Sequence, residues 1–237
     1  MGLTVLIDLF YAMGVALSPT PVLLAIAMLF SGHTRRNALG FLAGWSSGLV
    51  LMFFVLLWLA RAEILFLQTD TMSHPLVTVL MGIGLVWFGR RQWTRHGSDS
   101  KSEVPEWVNG LEQRFKTSKL VTPLRALVIG FLVAVVSPKN IVLMLAAVYA
   151  ITEASLNELD TLILILLFVV TSSVTVGAPV LYAVARGDAA EPTLEAWKTQ
   201  VLENRKRFTA ALLFLFGIFL IVKGAGALVT LWLAAPA

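Results

Sequence analysis

Two stretches, ALSPTPVLLAIAMLFSG (16–32) and VVSPKNIVLMLAAVYAI (135–151), each set a Ser-Pro pair near the middle of a long apolar run. A helix needs about 20 apolar residues to cross a hydrocarbon core of about 30 Å, and both runs reach that length. Proline removes a backbone donor and its ring clashes with the preceding turn, so each run is expected to break at its Ser-Pro pair. Lipid cannot satisfy the amides and carbonyls that such a break releases. Broken helices therefore persist in membranes where protein or a water-filled cavity meets the freed groups.

Outward from these two runs, apolar segments recur at 3–30, 37–60, 75–92, 124–152, 160–184 and 208–234. The third is the shortest. Composition agrees: of 237 residues, 58% are hydrophobic and 14% charged, and mean hydropathy is +0.84, which places most of the chain in lipid. A cleaved signal peptide is not expected. Met1 to Ile7 lacks a basic segment, and the first run is too long and carries Asp8. The chain has no cysteine, and its three histidines (His33, His74, His96) are scattered in polar stretches, so thiol chemistry and a metal site are not expected. Nor is any cofactor.

The net charge of +4 suggests nucleic acid only until the charges are mapped. Arg35 and Arg36 follow the first run; Arg90, Arg91, Arg95, Lys101, Arg114, Lys116, Lys119 and Arg125 lie around the third connection; Arg186, Lys198, Arg205, Lys206 and Arg207 lie around the fifth. The other two connections hold Arg61, and then Glu153, Glu158 and Asp160 without a base. By the positive-inside rule the basic connections face the cytoplasm, which puts six spans in the membrane with both termini outside. Nucleic acid is not an expected partner. In 103–117 the residues Val104, Trp107, Val108, Leu111 and Phe115 share one helical face, so this segment is expected to lie on the inner interface; 191–203, with Leu194, Trp197 and Val201, makes a weaker stripe. Residues 94–102 read as a polar link.

The two halves of the chain match. Leu17-Ser18-Pro19-Thr20-Pro21 answers Val136-Ser137-Pro138-Lys139-Asn140, and Gly82-Ile83-Gly84-Leu85, ending at Gly89, answers Gly217-Ile218-Phe219-Leu220, ending at Gly224. Three spans per half give the halves opposite orientation. The expected fold is thus an all-α membrane protein of six transmembrane helices forming one domain. Residues 1–93 make a first three-helix repeat, 94–123 a cytoplasmic linker with its interfacial helix, and 124–237 an inverted second repeat that includes the cytoplasmic helix 191–203.

Ionisable groups in a span are expensive and usually functional. Three qualify: Asp8 toward the outer end of the first run, Lys139 beside Pro138 near the midplane, and Lys223 in the outer half of the last run. Asp8 and Lys223 are candidates for a locking pair, or for gating or proton coupling. Lys139 has no acid at its depth, which leaves a bound anion or the neutral amine as its compensation. Trp45, Ser46 and Ser47 in GWSSG, and Thr171, Ser172, Ser173 and Thr175 before Gly177-Ala178-Pro179, are candidates to complete a cavity lining, or else mark close helix packing. Arg35 and Arg36 set orientation or meet a lipid phosphate.

With these residues in view, ALSPTPVLLAIAMLFSGHTRRNALGFLAGWSSGL (16–49), VSPKNIVLMLAAVYAI (136–151) and the stretch from Thr171 through Ala178-Pro179 resemble the GAP family, the glycopeptidolipid- and sulfolipid-addressing proteins of the lysine-exporter (LysE) superfamily. The resemblance covers nearly the whole chain. It implies six helices, a bacterial plasma-membrane location and a part in moving complex lipids toward the cell surface; the wider superfamily implies export of small solutes. Pro19, Pro21, Pro138, Lys139 and Asn140 match the motifs. The acids expected of divalent-cation branches reduce here to Asp8, and the cysteines of the thiol-redox branch are absent.

The expected function is a cofactor-free exporter or flippase for a lipid or glycolipid-type amphiphile with an anionic headgroup, working by alternating access of its repeats. Its candidate binding residues are Ser18, Pro19, Thr20, Pro21, Ser137, Pro138, Lys139, Asn140, Ser46, Ser47, Ser172 and Thr175, and its candidate gating or coupling residues are Asp8, Lys223, Arg35 and Arg36. The cytoplasmic segments hold no Gly-rich phosphate loop, and no His/Asp/Ser constellation falls within the spans, so ATP hydrolysis and catalysis are not expected. The alternatives are a LysE-type exporter of small, amino-acid-like solutes and an accessory subunit of lipid export. Membrane lipids are expected partners, and a homo-oligomer is left open.

Overall fold

The computed structural model describes residues 2–30, 34–62, 75–94, 122–154 and 156–234, and their regular structure is entirely helical. In chain order the helices are α1 (Gly2–Ala16), α2 (Pro19–Leu29), α3 (Thr34–Arg61), α4 (Pro75–Thr94), α5 (Pro123–Val136), α6 (Pro138–Glu153), α7 (Glu158–Arg186), α8 (Glu191–Glu203) and α9 (Arg205–Ala234). A short 3-10 turn, Gly187–Ala190, joins α7 to α8. The expected amphipathic segment 103–117 lies outside the described residues.

The Ser-Pro pairs break their runs as the loss of a donor requires. α1 and α2 meet at 54°, and α5 and α6 at 62°. α3, α7 and α9 are each long and apolar enough to cross a membrane, and each bent pair taken as one span brings the total to five among the described residues. α4 adds a sixth helical segment of 20 residues that closes on Arg90 and Arg91. Pro179 sits inside α7 without breaking it. Exposed apolar side chains cover the long helices, among them Leu51, Phe54 and Trp58 on α3 and Leu162, Leu166, Val170 and Val174 on α7. Such a surface belongs in lipid, and the chain is a multi-pass membrane protein.

The helices gather into two compact units. The first contains α1–α3 and α5–α8, around a core that includes Trp45, Phe41, Phe53, Phe168, Met28 and Met144. Its tightest seam joins α3 to α5. Gly40, Gly44 and Gly48 recur every fourth residue on α3, where a Cβ would strike the Pro123 carbonyl, the Leu127 carbonyl or Ala134, while Gly130 of α5 presses on the Phe41 carbonyl. Small residues at this spacing let two backbones touch, which drives helix association where lipid offers no hydrophobic effect. The second unit pairs α4 with α9, whose Gly82 and Gly217 face each other so closely that a Cβ on either would meet the other's carbonyl.

Local signals set the ends. Thr122 caps α5 by accepting from the Arg125 N–H (3.4 Å), with Pro123 in the first helical turn. Asn157 caps α7 by accepting from the Asp160 N–H (2.8 Å), and its own amide donates to the Asp160 carboxylate (3.0 Å). α7 stops at Gly187, whose φ of +64° suits glycine.

Candidate functional site

The site grows out of the two breaks. Pro19 has no N–H, and at the end of α1 the Ser18 amide turns to the Val15 carbonyl (3.3 Å), so the Gly14 carbonyl loses its usual donor. Lys139 meets it. Its ammonium donates to the Gly14 carbonyl at 2.6 Å and reaches the Val15 carbonyl at 3.4 Å. Thr175 of α7 donates to the Ala16 carbonyl (2.6 Å), and Ser172, one turn earlier, to the Ala12 carbonyl (3.3 Å). A cation at a helix C-terminus also opposes the negative end of the helix dipole.

The second break is repaired by its own neighbour. Pro138 cannot donate to the Ala134 carbonyl, and the Asn140 side-chain amide does so instead, at 3.1 Å. Because that carbonyl only accepts, the amide orientation is settled, and the Asn140 carbonyl oxygen Oδ1 points elsewhere. The Pro-Lys-Asn sequence therefore mends both breaks: Asn140 supplies the donor that Pro138 lacks, and Lys139 crosses to the end of α1.

Between the breaks lies a cavity of about 520 Å³ lined by Ser18, Thr20, Pro21, Trp45, Leu132, Val133, Val136, Ser137 and Asn140. It collects the N-terminal ends of α2 and α6. The Ser18 and Ser137 hydroxyls cap neither helix, which leaves them available to the cavity. Two lining residues carry buried polar atoms without a partner among the described residues: the Trp45 indole nitrogen Nε1, a donor, and Asn140 Oδ1, an acceptor. Trp45 is 0% exposed and Asn140 1%. Unpaired buried polar atoms are costly and rare, and here a donor and an acceptor belong to side chains that border the cavity while the atoms themselves are closed to solvent. Leu132 and Val136 are instead 49% and 66% exposed, and they give the cavity an apolar side on the outer face of α5.

The expected site residues thus divide. Ser18, Thr20, Pro21, Ser137 and Asn140 line the cavity together, with Pro19 and Pro138 opening the helices beside them. Lys139, Ser172 and Thr175 stabilise the end of α1. Ser46 lies 3.4 Å from Ser173 across α3 and α7, whereas Ser47 is exposed and donates to the Gly44 carbonyl of its own helix (3.0 Å). Asp8 is fully buried in the first unit; Lys223 is exposed on α9 in the second. Arg35 reaches Asp188 at 3.6 Å, and Arg36 is exposed on the same helix. The apolar wall of Leu132, Val133 and Val136 was not legible beforehand, because nothing in the periodicity of α5 separates a residue facing a cavity from one facing lipid. Among the described residues no group of acids and histidines could hold a metal ion.

Comparison with known proteins gives one finding. Among curated proteins and solved structures nothing matches the chain. The family model described as Sap, sulfolipid-1-addressing protein, matches residues 9–226, which takes in both helix breaks and every lining residue of the cavity, and the chain belongs to that family.

Proposed function

We propose that the protein is a membrane transporter that moves a lipid-type amphiphile, holding its headgroup in the cavity between the two helix breaks. The observation that carries this reading is the two-sided character of that cavity. One wall is made by Ser18, Thr20 and Ser137, backed by the buried, unpartnered Trp45 Nε1 and Asn140 Oδ1; the other is the exposed apolar stretch at Leu132 and Val136. A headgroup fits the first and acyl chains the second. The N-terminal ends of α2 and α6 favour an anionic, oxygen-rich headgroup, and Asn140 Oδ1 asks for a hydroxyl donor on it. The family of sulfolipid-1-addressing proteins agrees with such a cargo.

Alternating access of two inverted three-helix repeats is the working motion in this proposal. Three pairings support the repeat: Ser18 and Ser137 line one cavity, Ser46 meets Ser173, and Gly82 meets Gly217, each joining corresponding spans of the two halves. In this reading residues 1–93 and 124–237 are the repeats, both termini lie outside the plasma membrane, and the basic connections lie within.

Native mass spectrometry on protein purified in mild detergent tests the site. The wild type is expected to retain an anionic lipid, and Trp45→Phe, which keeps the ring and loses the N–H, to retain about tenfold less, the equivalent of one hydrogen bond. Equal retention by both removes the cavity from the headgroup site. Retention of no lipid shifts the assignment to a small-solute exporter.

A further inference from the structure

We infer that Asp8 is a proton-binding site of this protein, a buried carboxyl on the same half-helix whose far end adjoins the cavity. Asp8 is 0% exposed, and among the described residues neither of its oxygens has a hydrogen-bond partner. It belongs to a buried face of α1 made by Thr4, Asp8, Ala12 and Val15 at helical spacing. Neighbours hold that face at fixed points: Ser172 of α7 binds the Ala12 carbonyl, Thr175 the Ala16 carbonyl, and Lys139 of α6 the Gly14 carbonyl.

No opposite charge faces the carboxyl from these helices. α1 carries no other charged side chain, and its one phenol is Tyr11. On α6 the ionisable groups are Lys139, Tyr149 and Glu153. Lys139 directs its ammonium to the Gly14 carbonyl, six residues and about 9 Å along α1 from Asp8, and Tyr149 and Glu153 are exposed. On α7 they are Glu158, Asp160, Tyr182 and Arg186. Glu158 pairs with Arg61 and Asp160 with Asn157 near the N-terminus of α7, Tyr182 meets Thr193 at the other end, and Arg186 is exposed.

An ionised carboxylate sealed from water with no partner is strongly disfavoured. A metal ion does not relieve it, because hard cations need six or more oxygen ligands and among the described residues no group of acids or histidines gathers to supply such a set. A proton does: the carboxylate takes one from water to become a neutral acid and returns it to water when α1 moves, with no other bond made or broken. α1 ends two residues before Ser18, so a change in the packing of Asp8 reaches the cavity through a rigid half-helix. Use of this proton to drive cargo rests on the transport reading; the proton site itself does not.

The test therefore needs no cargo. Infrared difference spectra of the purified wild type between near-neutral and alkaline pH, a range in which exposed carboxyls are already ionised, are expected to contain a carboxylic-acid carbonyl band that moves in heavy water, absent from Asp8→Asn. Proton release over the same range is expected to be smaller in the variant by about one proton per chain. A wild-type spectrum without that band, a band kept by Asp8→Asn, or equal proton release would overturn the assignment. The melting temperature of Asp8→Asn is read in parallel as the fold control. Loss of the infrared band from a variant that melts as the wild type does supports the proton site, and a stable wild type that retains no lipid counts against the transport reading alone.

Discussion

At the scale of single residues, proline sets the chemistry of the site by what it removes. Pro138 orphans the Ala134 carbonyl and Asn140 answers it, so the two side chains are energetically coupled. Asn140→Ala is expected to cost about 1–3 kcal/mol, the range for an unmet buried acceptor. In a Pro138→Ala background, where a backbone N–H is restored, the same substitution should cost less. Thermal unfolding of the four proteins in one detergent measures the cycle, and additive effects would show that the Asn140 amide is not repairing the break. Lys139 has a similar office at the other break. Lys139→Met is expected to lose about 2 kcal/mol, typical of a hydrogen bond to a charged group, and to lower lipid retention by loosening α1. A variant of unchanged stability would separate the ammonium from the α1 carbonyls.

At the scale of elements, close packing of helices decides which side chains reach the cavity. Gly44 lets α3 lie against the Leu127 carbonyl of α5, and its neighbour Trp45 is thereby placed between α5 and the break in α1–α2. Gly44→Ala is expected to destabilise by about 1–3 kcal/mol through overpacking. Gly84→Ala meets nothing within 4 Å and should be neutral or slightly stabilising, since alanine is the better helix former. Melting temperatures of the two variants check the contrast. The seam also explains why GWSSG supported two readings in the sequence. Gly44 and Gly48 serve packing, Trp45 borders the cavity and Ser46 meets Ser173, so the three adjacent residues Gly44, Trp45 and Ser46 point in three directions.

At the scale of the whole molecule, charge sets orientation and contributes little to stability. Arg61 and Glu158 form an exposed pair at 2.9 Å, so Arg61→Ala is expected to change stability by less than about 1 kcal/mol. The proposed topology has a direct check because the chain contains no cysteine. Single substitutions Glu158→Cys and Asp188→Cys, treated in intact cells with a membrane-impermeant maleimide, are expected to label at 158 and not at 188. The reverse pattern would turn the molecule over in the membrane.

Much of this was written in the order of the residues. Length of apolar runs, the Ser-Pro positions and the glycine spacings are local quantities, and helix formation, helix breakage and burial in lipid follow from them without reference to distant parts of the chain. The breaks at Ser18-Pro19 and Ser137-Pro138 were therefore legible, as was the need for polar groups to meet them. The partners were not. Lys139 read as a cation compensated by a bound anion or by loss of its proton, and the folded chain brings it to carbonyls 125 and 124 residues away. Likewise, Trp45, Asn140 and the apolar wall of α5 came to border one cavity only through the α3–α5 seam. Which group satisfies an orphaned dipole depends on which helices pack together, and that choice is made by side-chain shape across the tertiary fold rather than by neighbours along the chain.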